Sequence, residues 1–222
     1  MLDDILSIIA PHRCYKCRRL GPPLCLNCRN YITSQAFRSC LVCGQFLRHE
    51  NLCSRHRLPY RRAWCVARRR GVISQLIDDL KFHRAFANAK VLAQLLDARL
   101  PVFSPDTVMV PIPTTPANIR RRGYDHMALI ARHLARRRKL KVSRVLKRRN
   151  NVTQHFAKNV AERRKNADEF FKIDAKIDPD KHYLVMDDIF TSGSTVRAAA
   201  ECLRQAGAKQ ISVVVVARQV RD

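Results

Sequence analysis

The string Asp187-Asp188-Ile189-Phe190-Thr191-Ser192-Gly193-Ser194-Thr195 sets two adjacent carboxylates ahead of a run of small, hydroxyl-bearing residues. Ser192, Gly193 and Ser194 let the backbone curl tightly, and Thr191, Ser194 and Thr195 add hydroxyl donors. If a helix starts at this turn, its first amides and its dipole favour an anion there. The lysine of a Walker loop is missing, so the cradle suits one phosphate monoester rather than a nucleotide polyphosphate. Asp187 and Asp188 can accept hydrogen bonds from vicinal hydroxyls beside it. A phosphate site next to a diol site describes a ribose 5-phosphate. A plain strand-to-helix turn, capped by Asp and bent by Gly, would need only part of this string.

A second set of reactive groups lies near the other end. Seven of the nine cysteines fall before residue 57, spaced as Cys14-x-x-Cys17, Cys25-x-x-Cys28, Cys40-x-x-Cys43 and then Cys53-x-x-His56. Two ligands separated by two residues can grip one metal ion, so four such knuckles supply eight ligands for two tetrahedral Zn²⁺ sites. Imidazole is an ordinary zinc ligand, which makes His56 a fitting eighth. No ligand position is reserved for water, so both sites read as structural. The favoured grouping is sequential, Cys14, Cys17, Cys25 and Cys28, then Cys40, Cys43, Cys53 and His56; a cross-braced grouping stays open. Cys65 and Cys202 fall outside the pattern and read as core thiols. Regular knuckles argue against a secreted disulfide scaffold and for reduced thiols in a cytoplasmic protein.

These groups must be held by regular elements, and three zones are visible. Residues 1–57 form the cysteine module, and residues 58–222 a larger α/β domain whose basic, partly helical middle gives way near residue 180 to a β-α-β pattern. Within the latter, Ile73, Leu76, Ile77 and Leu80, then Val91, Leu92, Leu95 and Leu96, recur at helical spacing up to Pro101 and Pro105. Residues 107–113, TVMVPIP, read as a strand leading into a proline-punctuated loop. A helix is expected over 124–139, with Met127, Ile130, Ala131 and Leu134 on one face. HYLVMDD is an apolar run stopping at the two acids, as a buried parallel strand does. A helix from about Thr195 to Gln205, ended by Gly207, and a strand over 211–217 complete a right-handed parallel unit with its ligand at the carboxyl end of the first strand. The segment MLDDILSIIAPHRC is too short and acidic for a signal peptide, and no run approaches the ~20 apolar residues of a membrane span.

Charge points to the partner. The chain carries 43 Lys and Arg against 18 Asp and Glu, a formal +25, and a surplus that large favours a polyanion. Between Arg120 and Arg149 thirteen bases face a single acid, Asp125, where a solvated helix face would mix signs. Arg120, Arg121, Arg122, Arg136, Arg137, Arg138, Lys147, Arg148 and Arg149 are the candidate nucleic-acid contacts. Arg61, Arg62, Arg68, Arg69 and Arg70 surround Trp64, which suits base stacking on a single strand or, equally, core packing. With no base-reading motif, the expectation is sequence-independent binding of single-stranded DNA.

YLVMDDIFTSGST resembles the signature of type I phosphoribosyltransferases for 5-phosphoribosyl-1-pyrophosphate (PRPP). VPIPTTPANIRRRGYDHMALIARHLA, the Gln154, Arg163, Asn166 and Phe170 stretch, and LIDDLKFHRAF with Lys81 resemble segments of the ComF/GntX competence family. Asp125 and His126 stand where that family commonly has Asn and Gln. The resemblance implies a parallel-sheet type I phosphoribosyltransferase-like fold behind a double zinc ribbon, binding PRPP with Mg²⁺. Asp187 and Asp188 become the candidate catalytic pair, holding the ribose hydroxyls directly or through the metal, and Thr191, Ser192, Gly193, Ser194 and Thr195 hold the 5-phosphate. Pro113 to Thr115 would form the pyrophosphate loop, with Arg120, Arg121 and Arg122 either neutralising pyrophosphate or joining a nucleic-acid surface. It further implies a role in DNA uptake during natural transformation, alongside competence-machinery proteins. The alternatives are a phosphoribosyltransferase of nucleotide salvage and a PRPP-sensing DNA-binding regulator without turnover. No acceptor is legible.

Overall fold

Runs of β-branched residues build the centre. In the computed structural model, which describes residues 12–149 and 170–220, Ile211 to Ala217 are all buried, and Val213 to Ala217 are fully inaccessible. Such a run suits a strand covered on both faces. Five strands form the sheet: β1 (Arg62–Arg68), β2 (Val108–Pro111), β3 (Lys141–Val142), β6 (His182–Phe190) and β7 (Gln210–Arg218), in the order β1-β7-β6-β2-β3. Every pairing is parallel. A separate antiparallel pair joins β4 (Leu146–Arg148) to β5 (Phe171–Ile173).

Alternation along the strands divides the apolar residues between two faces. Leu184, Met186, Val214, Val216, Trp64 and Val66 pack beneath α2 (Gly71–Phe82), α3 (Ala87–Arg99) and α5 (His126–Arg138). Tyr183, Val185, Val213, Val215, Ala63 and Cys65 pack beneath α6 (Ser194–Gln205) and the β4–β5 pair. The cysteine module straddles this division. Cys14, Leu24 and Cys28, with α1 (Leu26–Ser34) between the knuckles, join the first cluster, whereas Phe37 and Leu41 join the second.

Several expectations change here. The strand ahead of the loop does not stop at the acids: β6 continues to Phe190, because Ile189 and Phe190 still pair with Ala217 and Arg218. The single helical stretch before Pro101 is two helices, broken where Arg84 takes a left-handed backbone (φ 55°). The loop after TVMVPIP contains a short helix, α4 (Pro116–Arg122), started by Pro116 and capped by Thr115, whose hydroxyl accepts from the Asn118 amide. The helix expected over 124–139 begins at His126, because Asp125 caps it by accepting from the Ala128 amide. Trp64 is 3% exposed, edge-on to Phe103, and belongs to the core. Cys65 is buried as expected, while Cys202 is half-buried. Gln154, Arg163 and Asn166 lie outside the described residues. No helix among the described residues is long and apolar enough to cross a membrane.

Candidate active site and metal centres

β2 leads through α4 and α5 to β3 on one side, while β6 leads through α6 to β7 on the other, under the opposite face. The chain therefore diverges between β2 and β6, and ligands of open parallel sheets settle in the crevice beyond such a divergence. The carboxyl end of β6 places Asp187 and Asp188 there, opposite Thr114 and Thr115 after β2.

Asp188 is 6% exposed and fully engaged on one oxygen. His126 Nε2 lies 2.7 Å from its Oδ2, and Lys81 forms an ion pair with the same atom. Burial alone would raise this carboxyl, but the His126 hydrogen bond and the Lys81 charge outweigh it and hold Asp188 well below the usual carboxylate range. Asp187 behaves oppositely. Burial and the neighbouring Asp188 charge push it up to about 7, against the pull of the Asp188 amide, Lys81 and Arg148. The Asp188 amide donates to Asp187 Oδ1 at 2.9 Å. The pair is thus split, with Asp188 held in its charged form and Asp187 pushed toward its protonated one.

His126 is positioned through its other nitrogen. Arg122, itself buried, donates from a terminal nitrogen to His126 Nδ1 at 3.3 Å, which leaves the proton on Nε2 to face Asp188. Thr114 donates its hydroxyl to Asp125 Oδ1 at 3.0 Å, so the helix cap also ties the turn after β2 to α5. The residues that depart from the family's Asn-Gln pair therefore have defined work: Asp125 fixes the turn and His126 fixes Asp188.

The loop after β6 has a clear physical origin. Gly193 adopts a left-handed backbone (φ 79°) as the residue before α6, and a Cβ there would collide with the Phe190 ring. Phe190 is buried beneath the curl, and Arg218 lies 5.2 Å above its ring while donating to the carbonyls of Phe190 and Thr191. Ser192 donates to the Ser194 hydroxyl at 3.0 Å. Thr191, Ser192 and Ser194 are exposed, Thr195 is half-buried, and the first turn of α6 holds no acid to repel an anion.

The basic residues named from sequence occupy three settings. Arg120, Arg121, Arg136, Lys147 and Arg149 are exposed, with Lys147 paired to Asp174. Arg137 and Arg138 both pair with Asp97, and Arg138 also donates to the backbone carbonyls of Asp97 and Leu100, which fastens α5 to the end of α3. Arg122 and Arg148 turn toward the crevice. Arg148 donates to the Pro113 carbonyl at 2.8 Å, and although burial lowers its guanidinium, the charges of Asp187 and Asp125 pull it back up. Lys81 and Arg148 were visible in the sequence only as a motif lysine and one arginine among many, and Arg218 carried no signal at all.

The cysteine knuckles meet in the sequential grouping: Cys14, Cys17, Cys25 and Cys28 in one cluster, Cys40, Cys43, Cys53 and His56 in the other, each with ligand atoms within 4.8 Å of one another. Cys17 and Cys25 sulfurs stand 3.7 Å apart, and Cys43 and Cys53 sulfurs 3.8 Å apart. A tetrahedron with Zn–S arms of ~2.3 Å has an edge of about 3.8 Å. His56 Nε2 is buried with no hydrogen-bond partner among the described residues, as a nitrogen reserved for a metal is. Burial raises Cys14 and Cys40, but the amides of Cys17, Cys25 and Lys16 around the first, and of Cys43, Cys53 and Val42 around the second, bring each down to about 6. The donor sets fit zinc.

Residues 117–222 match the family model of the phosphoribosyl transferase domain. The DNA utilization protein YhgH of Escherichia coli (strain K12) is 29% identical over 227 residues, covering 93% of this chain and 96% of that protein. Competence protein F of Haemophilus influenzae is 26% identical over 223 residues, with the same shares covered. A solved glutamine PRPP amidotransferase from B. subtilis overlaps 57% of this chain and 25% of that one, at 20% identity and a TM-score of 0.42.

Proposed function

We propose that this chain, similar to the competence F and YhgH proteins and matching the phosphoribosyl transferase domain over residues 117–222, binds PRPP and single-stranded DNA and acts in DNA uptake. The observation that carries the PRPP part is Asp188, a buried carboxylate kept charged by Lys81 and His126 at the strand end beside the Gly193 curl. In this reading the curl and the start of α6 hold the 5-phosphate, and Asp187 and Asp188 hold the ribose hydroxyls. Mg²⁺, when bound with PRPP, supplies positive charge to the pyrophosphate, and Asp187 and Asp188 are the acids suited to hold it.

The protein's own contribution is positioning and charge. Loss of pyrophosphate from the ribosyl C1 leaves positive character on the sugar and negative charge on the departing group. Asp187, half-buried near the end of β6, would face the former in this reading. Lys81 and Arg148 lie where they can face the latter, while His126 keeps Asp188 from turning. For the nucleic-acid part, the exposed Arg120, Arg121, Arg136 and Arg149 support a sequence-independent electrostatic footprint.

Calorimetric titration of PRPP with Mg²⁺ into the zinc-loaded protein tests the first part: heat is expected, and Asp187→Ala or Asp188→Asn should remove it while leaving DNA affinity nearly unchanged. Pyrophosphate release should then be followed with free bases or with DNA present. Release with a free base would favour nucleotide salvage, and release only with DNA a DNA-linked transferase. Binding without any release would favour a PRPP-responsive regulator.

A further inference from the structure

Beside the Asp188 cluster a cavity of about 180 Å³ is lined by Lys81, Phe82, Arg84, Arg121 and Arg122. Four of its five residues are cationic, none is acidic, and the neighbouring Asp188 is already paired with Lys81 and His126. Arg122 is 9% exposed, yet its Nε has no hydrogen-bond partner among the described residues. A buried guanidinium nitrogen left unpaired is costly, and an incoming anion would satisfy it. Arg84 lines the same cavity from a left-handed backbone that arginine seldom adopts.

One wall is aromatic, and a second exposed ring follows four residues on. Phe82 is 54% exposed and Phe86 42% exposed, with Phe86 edge-on to Tyr124 at 4.8 Å. The Arg121 and Arg122 guanidinium carbons lie 5.7 and 5.2 Å from the Phe82 ring centroid. A cationic hole big enough for a phosphate, edged by exposed rings, matches a strand that alternates phosphates with flat bases. Inorganic pyrophosphate would satisfy the arginines but has no use for the rings.

We infer that this cavity takes a backbone phosphate of single-stranded nucleic acid while an adjoining base stacks on Phe82 or Phe86, so that the strand enters directly beside the sugar-phosphate site. The inference rests on the single-strand reading above and names the place where the strand meets the site. Its consequence is that the acceptor would be presented from the α2–α3 connection rather than from the exposed arginines of α5.

Phe82→Ala and Arg84→Asn test it, since Phe82 is exposed and Asn tolerates the left-handed backbone. Binding of a fluorescein-labelled oligonucleotide is read by anisotropy across a salt series, with PRPP and inorganic pyrophosphate titrated separately by calorimetry. Phe82→Ala should weaken strand binding about tenfold, as loss of one stacked base does. Arg84→Asn should make the logarithmic salt slope shallower by about 0.7. Unchanged strand affinity and slope in both variants would overturn the inference, as would a wild-type chain that binds no oligonucleotide. A loss confined to pyrophosphate would also overturn it, by giving the cavity to the leaving group. Absence of PRPP heat in the wild type, with the strand effects intact, would instead remove the PRPP reading and leave the cavity assignment standing.

Discussion

Tyr15, lying between Cys14 and Cys17, donates a 2.6 Å hydrogen bond to Asp79 on α2, two residues ahead of Lys81. Asn88 of α3 donates to the same phenol oxygen at 3.3 Å and to the Leu76 carbonyl at 3.2 Å. Burial and the Asp79 carboxylate both push the phenol up, so Tyr15 remains a donor throughout the working pH range. The first metal centre is thereby joined to the helix that supplies the lysine facing Asp188. Tyr15→Phe should weaken PRPP binding about threefold to tenfold, the range for losing a partly exposed hydrogen bond to a charged group. Calorimetry on zinc-loaded protein checks this, and unchanged affinity would show that the two sites are mechanically independent.

Asp187 makes stability depend on pH in an unusual direction. Its folded-state value of about 7 lies above the ~3.9 of an unfolded aspartate, so between these limits the folded chain holds the extra proton. Stability from this group is present below about pH 4 and is lost as pH rises through about 7. Asp187→Asn keeps an oxygen for the Asp188 amide and removes the charge. The variant should melt higher than the parent at about pH 8, the gap should narrow toward about pH 5, and PRPP heat should vanish. Equal melting curves at both pH values would contradict the assignment.

The metal grouping can be tested by counting ions. Cys14→Ser combined with Cys28→Ser strikes one cluster, so native mass spectrometry should show one zinc lost and one retained. Cys14→Ser combined with Cys53→Ser strikes both, and two should be lost. Cross-braced ligation, with 14 and 17 joined to 40 and 43, would instead lose both zincs in the first double variant, so that pair decides the grouping.

Gly193→Ala places a methyl against the Phe190 ring on a backbone that disfavours it. A cost of about 1–3 kcal/mol is expected in urea denaturation, with PRPP affinity falling because the curl must shift. Phe190→Leu in the same chain should recover part of that loss, giving a double-mutant coupling that two independent sites would not show.

What sequence could reveal follows the range of the interactions. The β6-loop-α6-β7 unit and the four knuckles are built from neighbours in the chain, so type and spacing announced them. Lys81 and His126 meet at Asp188 only because α2 and α5 converge on the carboxyl end of β6, and no local pattern encodes that meeting. The basic stretch misled differently. Arg138 reads as a surface charge beside Arg136 and Arg137, yet it spends its donors on Asp97 and on carbonyls ending α3. Trp64 among arginines reads equally as a stacking platform or a core residue because strand β1 has polar ends, and pairing with β7 decides for the core.

The strand order has a consequence for synthesis. β7 follows every other strand in the chain but sits between β1 and β6, so it closes the seam of the sheet. As the polypeptide leaves the ribosome, the knuckles and β1 emerge long before that seam can form, and the apolar flank of β1 must wait without its neighbour. Early metal capture, by ordering the knuckles whose Cys14 and Cys28 share a core cluster with Trp64, would give the nascent segment a partner during that interval. Starving cells of zinc should therefore reduce the yield of newly made chains more than it harms chains already complete.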